Sequence, residues 1–368
     1  MKVPPFKLDL WLAAHEFATP PIRYNLASST GPLWTLAELQ DLGGDPLSLD
    51  DIRLSYAPPQ GGKLLRERIA AMHGVDPEQV LVMTGASEAL IALTCLFAGD
   101  GGSIVLPKPA YPAVPVLART FGLEVREYDL RREEGFAQTA EQVLSLVDAK
   151  TRAVFVNTPH NPTGSIMVAA EQRKLAEALA ARSIPLIVDE VYHPLYFAGD
   201  VPSASALPNT IVLGDFAKAL SIPGLRIGWL IDRDAKRREA LLDLRSYFTI
   251  SGSPLTEAVG AHALAHAPAI LRRLRDVARA NLELLKRFMD EHRSVLGWAP
   301  PAGGTTCFPW LRDGSDSRPL CETLAKAGVL AAPGDCFDMP AHIRLGFGAM
   351  RSGYADALEI FRDVLARL

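Results

Sequence analysis

What the chain has little of narrows its chemistry first. Four cysteines occur among 368 residues, Cys95, Cys307, Cys321 and Cys336. None forms a CxxC pair or has a histidine at metal-ligand spacing, so packing roles and a reduced, cytoplasmic setting are expected, with no metal. Neither charge dominates. With 38 Lys and Arg against 42 Asp and Glu, the net charge of −4 leaves no basic footprint for nucleic acid or an acidic membrane surface. The longest apolar run, Ala89 to Ala98, is too short to span a bilayer. Met1 to Phe17 lacks the basic start and unbroken apolar stretch of a secretory signal. There is no GxGxxG, GxSxG or HExxH. The Gly61-Gly62-Lys63 stretch fails as a phosphate loop, because Ala57 stands at the first glycine position and Leu64 follows the lysine.

What is present is ordinary globular composition, 48% hydrophobic and 22% charged, at a length that suggests about two domains. Short β-rich runs recur at Val80–Thr84, Ser103–Leu106, Glu124–Glu127, Ala153–Asn157, Pro185–Asp189, Thr210–Gly214 and Ile227–Ile231. Helical stretches rich in Ala, Leu, Glu and Arg separate most of them. Continuous apolar strands alternating with helices predict an α/β fold whose largely parallel sheet is covered on both faces. From Pro254 the texture changes to a long helical region, broken near Pro268 and ending about His292. We therefore expect a large α/β domain over residues 42–260. A smaller α+β domain is expected from residues 261–368, closed by the N-terminal arm of residues 1–41.

The polar groups of interest fall at the carboxyl ends of the expected strands, where ligands bind in open α/β sheets. Lys218 lies among Phe216, Ala217, Ala219 and Leu220. Such company strips hydration from an ammonium and favours the neutral amine that attacks carbonyls; a lysine snorkelling at a strand end reads the same way. Arg226, eight residues on, offers a fixed cation for a phosphate or carboxylate. The turn Gly85-Ala86-Ser87 opens a helix and suits either an anion site or a plain cap. Asn161 sits in a loop stiffened by Pro159, Pro162 and Gly164. Asp189 ends an apolar strand and needs a partner if buried. A cationic ring nitrogen or a helix N-terminus would serve. Tyr111 follows another strand end and could stack on a ring or be a loop aromatic.

Taken in order and spacing, these elements resemble the class I/II, fold type I, pyridoxal-phosphate-dependent aminotransferases. The matching pieces run from Tyr56–Gly61 through Gly85-Ala86-Ser87, Tyr111, His160–Gly164, Asp189–Tyr192 and Lys218–Trp229 to Ile343-Arg344-Leu345. The resemblance implies a mostly parallel seven-stranded sheet and pyridoxal 5′-phosphate bound through a Lys218 Schiff base. Lys218, Asp189 and Tyr192 would be catalytic. Asp189 would pair with the ring nitrogen, Asn161 and Tyr192 would bond the ring's phenolic oxygen, and Tyr111 would stack on the ring. Gly85, Ala86, Ser87 and Arg226 would form the phosphate site. Arg344, with Asn161 and Gly31, would hold the substrate, Arg344 taking its α-carboxylate. Tyr56 would reach the phosphate of a neighbouring subunit, which implies a homodimer with shared sites. The implied reaction moves an amino group between an L-amino acid and a 2-oxo acid.

Three departures stand out. Asp215 and Ala217 occupy positions three and one before the lysine where the family usually has serines. The arm Ala27–Leu33 replaces the usual Gly-x-Pro segment. Thr305 and Thr306 fall in a stretch that often carries a pocket aromatic. The arm also faintly resembles the capreomycidine-synthase branch, whose members cyclise an arginine-derived amino acid. Elimination, replacement, decarboxylation or cyclisation is thus the second reading. A non-catalytic regulator, which would need an added DNA-binding domain, is the third.

Overall fold

The computed structural model describes residues 3–44, 47–98 and 101–367. At its centre seven strands form one sheet: β1 (Val80–Met83), β2 (Ser103–Lys108), β3 (Glu124–Asp129), β4 (Thr151–Asn157), β5 (Leu186–Asp189), β6 (Thr210–Asp215) and β7 (Gly228–Asp232). Their order is β1-β7-β6-β5-β4-β2-β3. Every pairing is parallel except those of β7, which runs antiparallel to both β1 and β6. All seven expected runs are strands of this sheet. Five extend further than expected: β2 continues through Pro107 to Lys108, β3 reaches Asp129, β4 begins at Thr151, and β6 and β7 run one residue on, to Asp215 and Asp232.

Apolar runs dictate this arrangement. Every residue of β1, β5, β6 and β7 is buried, as a strand covered on both faces requires. Helices Lys63–His73, Gly85–Phe97 and Ala169–Ala180 are among those packed about it. The helical region after Pro254 divides where expected, into Pro254–Ala265 and Ala267–Glu291, with Pro268 in the first turn of the second helix. The boundary expected between residues 260 and 261 therefore falls inside a helix. Beyond it, two-residue strands pair into small sheets, one joining Tyr24–Asn25 of the arm to Val329–Leu330. That pairing seats the N-terminal arm on the C-terminal third of the chain.

Register positions the site. Asn157 at the end of β4 lies opposite Asp189 at the end of β5, which lies opposite Leu213 on β6. Asp215, the last residue of β6, pairs with Gly228, the first of β7. The segment carrying Lys218 and Arg226 is thus the connection between two adjacent, hydrogen-bonded strands. No helix among the described residues is long and apolar enough to cross a membrane.

Candidate active site

At the carboxyl edge of the sheet opens a cavity of about 260 Å³. It is lined by Ala86, Ser87, Tyr111, Asn157, Asn161, Asp189, Tyr192, Asp215, Lys218 and Arg226, and by Asp9. Strand ends, loop and helix start, scattered over residues 86–226, thus converge on one space.

One polar chain crosses its floor. Asn157 donates from Nδ2 to the Asp189 carbonyl at 3.0 Å, and its Oδ1 accepts the Asn161 N–H at 2.7 Å. The Asn161 side-chain oxygen in turn accepts from Arg344 Nη1 at 3.3 Å. Arg344 Nη2 donates to the Ala27 carbonyl at 2.7 Å, while its buried Nε has no partner among the described residues. Arg344 does not itself line the cavity; it sits behind Asn161, buried, with one donor open.

The carboxyl of Asp189 accepts one backbone N–H, from Val191 at 3.1 Å. Burial pushes its pKa up to about 7, against the pull of that hydrogen bond. Among the described residues the buried Tyr192 hydroxyl makes no hydrogen bond of good geometry; burial pushes the phenol up, with Arg344 and the nearby Ser29 hydroxyl pulling against it. Burial likewise raises Tyr111 to about 12, and Phe6 meets its ring edge-on at 5.8 Å.

Lys218 is half-buried, between Ala217 and Ala219, which are buried. Its Nζ donates to Ser29 Oγ at 2.9 Å. Burial lowers its pKa, with Arg344 and Arg226 acting the same way and Asp215 and Asp189 opposing. Asp215 caps the turn beneath it: Oδ1 accepts the N–H groups of Ala217 at 2.9 Å and Lys218 at 3.2 Å. Burial raises the Asp215 carboxyl, and Lys218 is the main influence drawing it back down.

Adjoining this turn, across the Asp215–Gly228 pairing, lies a cradle for an anion. Glu88 reaches back to the Thr84 N–H at 2.5 Å and fixes the start of helix Gly85–Phe97. Gly85 has φ 73°, and a Cβ there would stand 2.9 Å from Arg226 Nη2. A side chain at 85 would therefore press on the guanidinium that flanks the helix start. Ala86, exposed Ser87 and exposed Arg226 face the cavity.

Two expected residues lie elsewhere. Tyr56 is 82% exposed and lines a separate groove with Leu54, Ser55 and Gly252–Pro254. Gly31 is packed behind the lysine segment, where a Cβ would meet Ser221 Oγ at 2.0 Å and Leu274 Cδ1 at 2.6 Å. It is the neighbouring arm residue Ser29 that reaches the lysine. Thr305 donates to the Ser29 carbonyl at 2.9 Å, so that threonine holds the arm and does not line the cavity. Asp9, Asn157 and Ser29 are the site residues that the sequence reading missed. Asn157 carried a signal, an amide at a strand end; Asp9 and Ser29 carried none that local pattern could show.

The residues present fit pyridoxal phosphate. A buried carboxyl with a single donor suits a protonated ring nitrogen, and an unpaired Tyr192 hydroxyl beside Asn161 suits a phenolic oxygen. A half-buried amine suits the aldehyde, and the cradle suits the phosphate. The model of the family Aminotransferase class I and II matches residues 25–359. Capreomycidine synthase of Streptomyces vinaceus is 31% identical over 360 residues, covering 95% of this chain and 90% of that protein. A PLP-dependent aminotransferase from Streptococcus suis superposes with a TM-score of 0.91 at 28% identity, covering 100% of this chain and 99% of the other. The PLP-dependent cyclase OrfR superposes at 0.90 with 29% identity, over 100% and 99%. The chain thus belongs to the class I and II aminotransferases and is a pyridoxal-phosphate-dependent enzyme.

Proposed function

We propose that this enzyme transfers an amino group between an L-amino acid and a 2-oxo acid, with Lys218 as the residue that carries the cofactor and then moves the proton at the substrate α-carbon. The carrying observation is that the Lys218 amine, the Asp189 carboxyl and the Asn161 side chain line one cavity, with Arg344 bonded behind Asn161. Bound there, pyridoxal phosphate supplies an electron sink that acidifies the α-proton. Asp189 would hold a proton on the ring nitrogen, and Asn161 and Tyr192 would bond the phenolic oxygen. Ala86, Ser87 and Arg226 would hold the phosphate. Arg344, behind Asn161 with its Nε open, would take the α-carboxylate and orient the α-carbon toward Lys218. Burial lowers the Lys218 pKa, the direction that favours a neutral amine as proton acceptor.

The test is spectral. The holoenzyme should show a visible band that shifts on adding an L-amino acid, with stoichiometric 2-oxo acid formed. Absence of the band, or unchanged turnover in Lys218→Ala, would sink the reading. The likeness to capreomycidine synthase and to the cyclase OrfR supports a second reading, in which the proton moved by Lys218 leads to ring closure. Release of a cyclised product without 2-oxo acid would favour it.

We further propose a homodimer in which Tyr56 completes the neighbouring subunit's phosphate site. Its support is the exposure of Tyr56 (82%) and Leu54 (84%) on a groove outside the chain's own cavity. Mixing Tyr56→Phe and Lys218→Ala proteins should form hybrid dimers with one intact site, and a monomer by sedimentation would overturn the proposal.

A further inference from the structure

Three carboxylates line the active-site cavity, and two are spoken for. Asp189 accepts the Val191 N–H, and Asp215 accepts those of Ala217 and Lys218. Asp9 accepts nothing: among the described residues no hydrogen bond or ion pair engages it. It comes from helix Lys7–Glu16, the arm's contribution to the cavity wall, and it is exposed, which places it at the opening.

The helix is held firmly enough to make that placement meaningful. Trp11 Nε1 donates to the Ala331 carbonyl at 2.9 Å, and Phe6 packs on Tyr111. Nearby cations are occupied: Lys7 Nζ points to the Asp335 carbonyl at 3.5 Å, and Arg318 pairs with Asp335 at 2.8 Å. Lys218 and Arg344 draw the Asp9 pKa down, yet burial outweighs them and leaves it raised. Among the described residues neither cation bonds it, so the carboxylate stands unpaired at the cavity opening.

A substrate with its α-carboxylate on Arg344 and its α-carbon at Lys218 has its side chain left to extend toward the cavity opening. We propose that Asp9 is a specificity-determining residue that selects amino acids whose side chain ends in a cation, an ammonium or a guanidinium. This rests on the Lys218 and Arg344 roles proposed above. A cation there compensates the carboxylate. A second carboxylate is repelled, and a neutral end leaves Asp9 unpaired.

The experiment compares isosteric pairs on the holoenzyme: arginine with citrulline, and lysine with 2-aminoheptanoate. Rates are read from the shift of the cofactor band, and binding from half-saturation of that shift. We expect kcat/KM for the cationic member to exceed the neutral one by about tenfold or more, roughly the effect of one well-placed charge pair. Asp9→Asn should shrink that ratio to about threefold or less, and Asp9→Lys should reverse it, both with the cofactor band retained as a check on folding. Raising salt from about 0.05 to about 0.5 M should weaken binding of arginine more than of citrulline. A wild-type ratio near one, or a ratio unchanged in Asp9→Asn, overturns the inference while the Lys218 reading survives. Failure of every amino acid to shift the band overturns both.

Discussion

Ser29 Oγ accepts a hydrogen bond from Lys218 Nζ at 2.9 Å, across 189 positions of sequence. The contact ties the N-terminal arm directly to the reacting amine. Thr305 holds the same arm from the other side, through the Ser29 carbonyl. The departure from the family's usual arm is therefore a departure at the amine itself.

Replacing Ser29 with Ala removes the acceptor without disturbing the backbone that Thr305 holds. The visible band should persist, and kcat should fall by about tenfold, equivalent to about 1.4 kcal/mol of lost positioning. Steady-state kinetics check this, and an unchanged kcat would mean that the contact is passive.

Asp215 sets a charge beside the phosphate cradle. Asp215→Ser keeps a cap for the Ala217 and Lys218 N–H groups while removing the carboxyl. Burial raises the Asp215 pKa, so the carboxyl opposes a phosphate dianion least at low pH and most once ionised at high pH. The variant should bind the cofactor about tenfold tighter at pH 8, with a smaller gain at pH 5. Titration of the cofactor-free protein measures both, and a gain independent of pH would contradict the account.

Asp189→Asn separates stability from function in the cofactor-free protein. The carboxyl has a folded-state pKa of about 7 against an ordinary 3.8, so the folded chain binds this proton more tightly than the unfolded chain. Ionising it costs stability, and the cost grows as pH rises from about 4 to about 7, then levels off. The variant should thus equal wild type near pH 4 and exceed it above pH 7, by up to about 4 kcal/mol. Urea denaturation at several pH values gives the curve. The same variant should lose turnover, since it cannot hold a proton on the ring nitrogen.

Gly346→Ala tests how the arm is seated. A Cβ at 346 would fall 1.8 Å from the Ser28 carbonyl oxygen, and the Gly346 N–H donates to the Leu26 carbonyl at 2.5 Å. The arm must shift to admit the methyl, at a cost of about 1–3 kcal/mol by denaturation. Because Ser29 and the Ala27 carbonyl move with it, the KM for the amino acid should rise, and a normal KM would show that the arm is slack.

The sheet was largely legible because its signal is local. Val80–Met83 and Leu186–Asp189 are short apolar runs between polar turns, and the residues at their ends are where the chemistry lies. The Pro254 region divided at Pro268 for an equally local reason. The arm was not legible in the same way. Its helix shows in the sequence, but its docking depends on Trp11 meeting Ala331 and on Tyr24–Asn25 pairing with Val329–Leu330, contacts that no window of neighbouring residues contains. Asp9 and Ser29 were missed on that account. Gly31 was expected at the substrate and lies packed against Ser221 and Leu274 instead, two residues from the serine that does face the lysine.

Lys218 and Arg226 hang from one connection between adjacent strands, clamped at its base by the Asp215–Gly228 pairing. Ser29, Asp9 and Arg344 arrive instead from the two ends of the chain. The reactive unit is thus a single cassette, whereas the groups expected to meet the substrate are held by separate segments. Exchange of residues 3–44 between relatives could retune what is accepted without touching the group that performs the chemistry. Lengthening the cassette by even one residue would have no such freedom, because amine and phosphate clasp would fall out of step together.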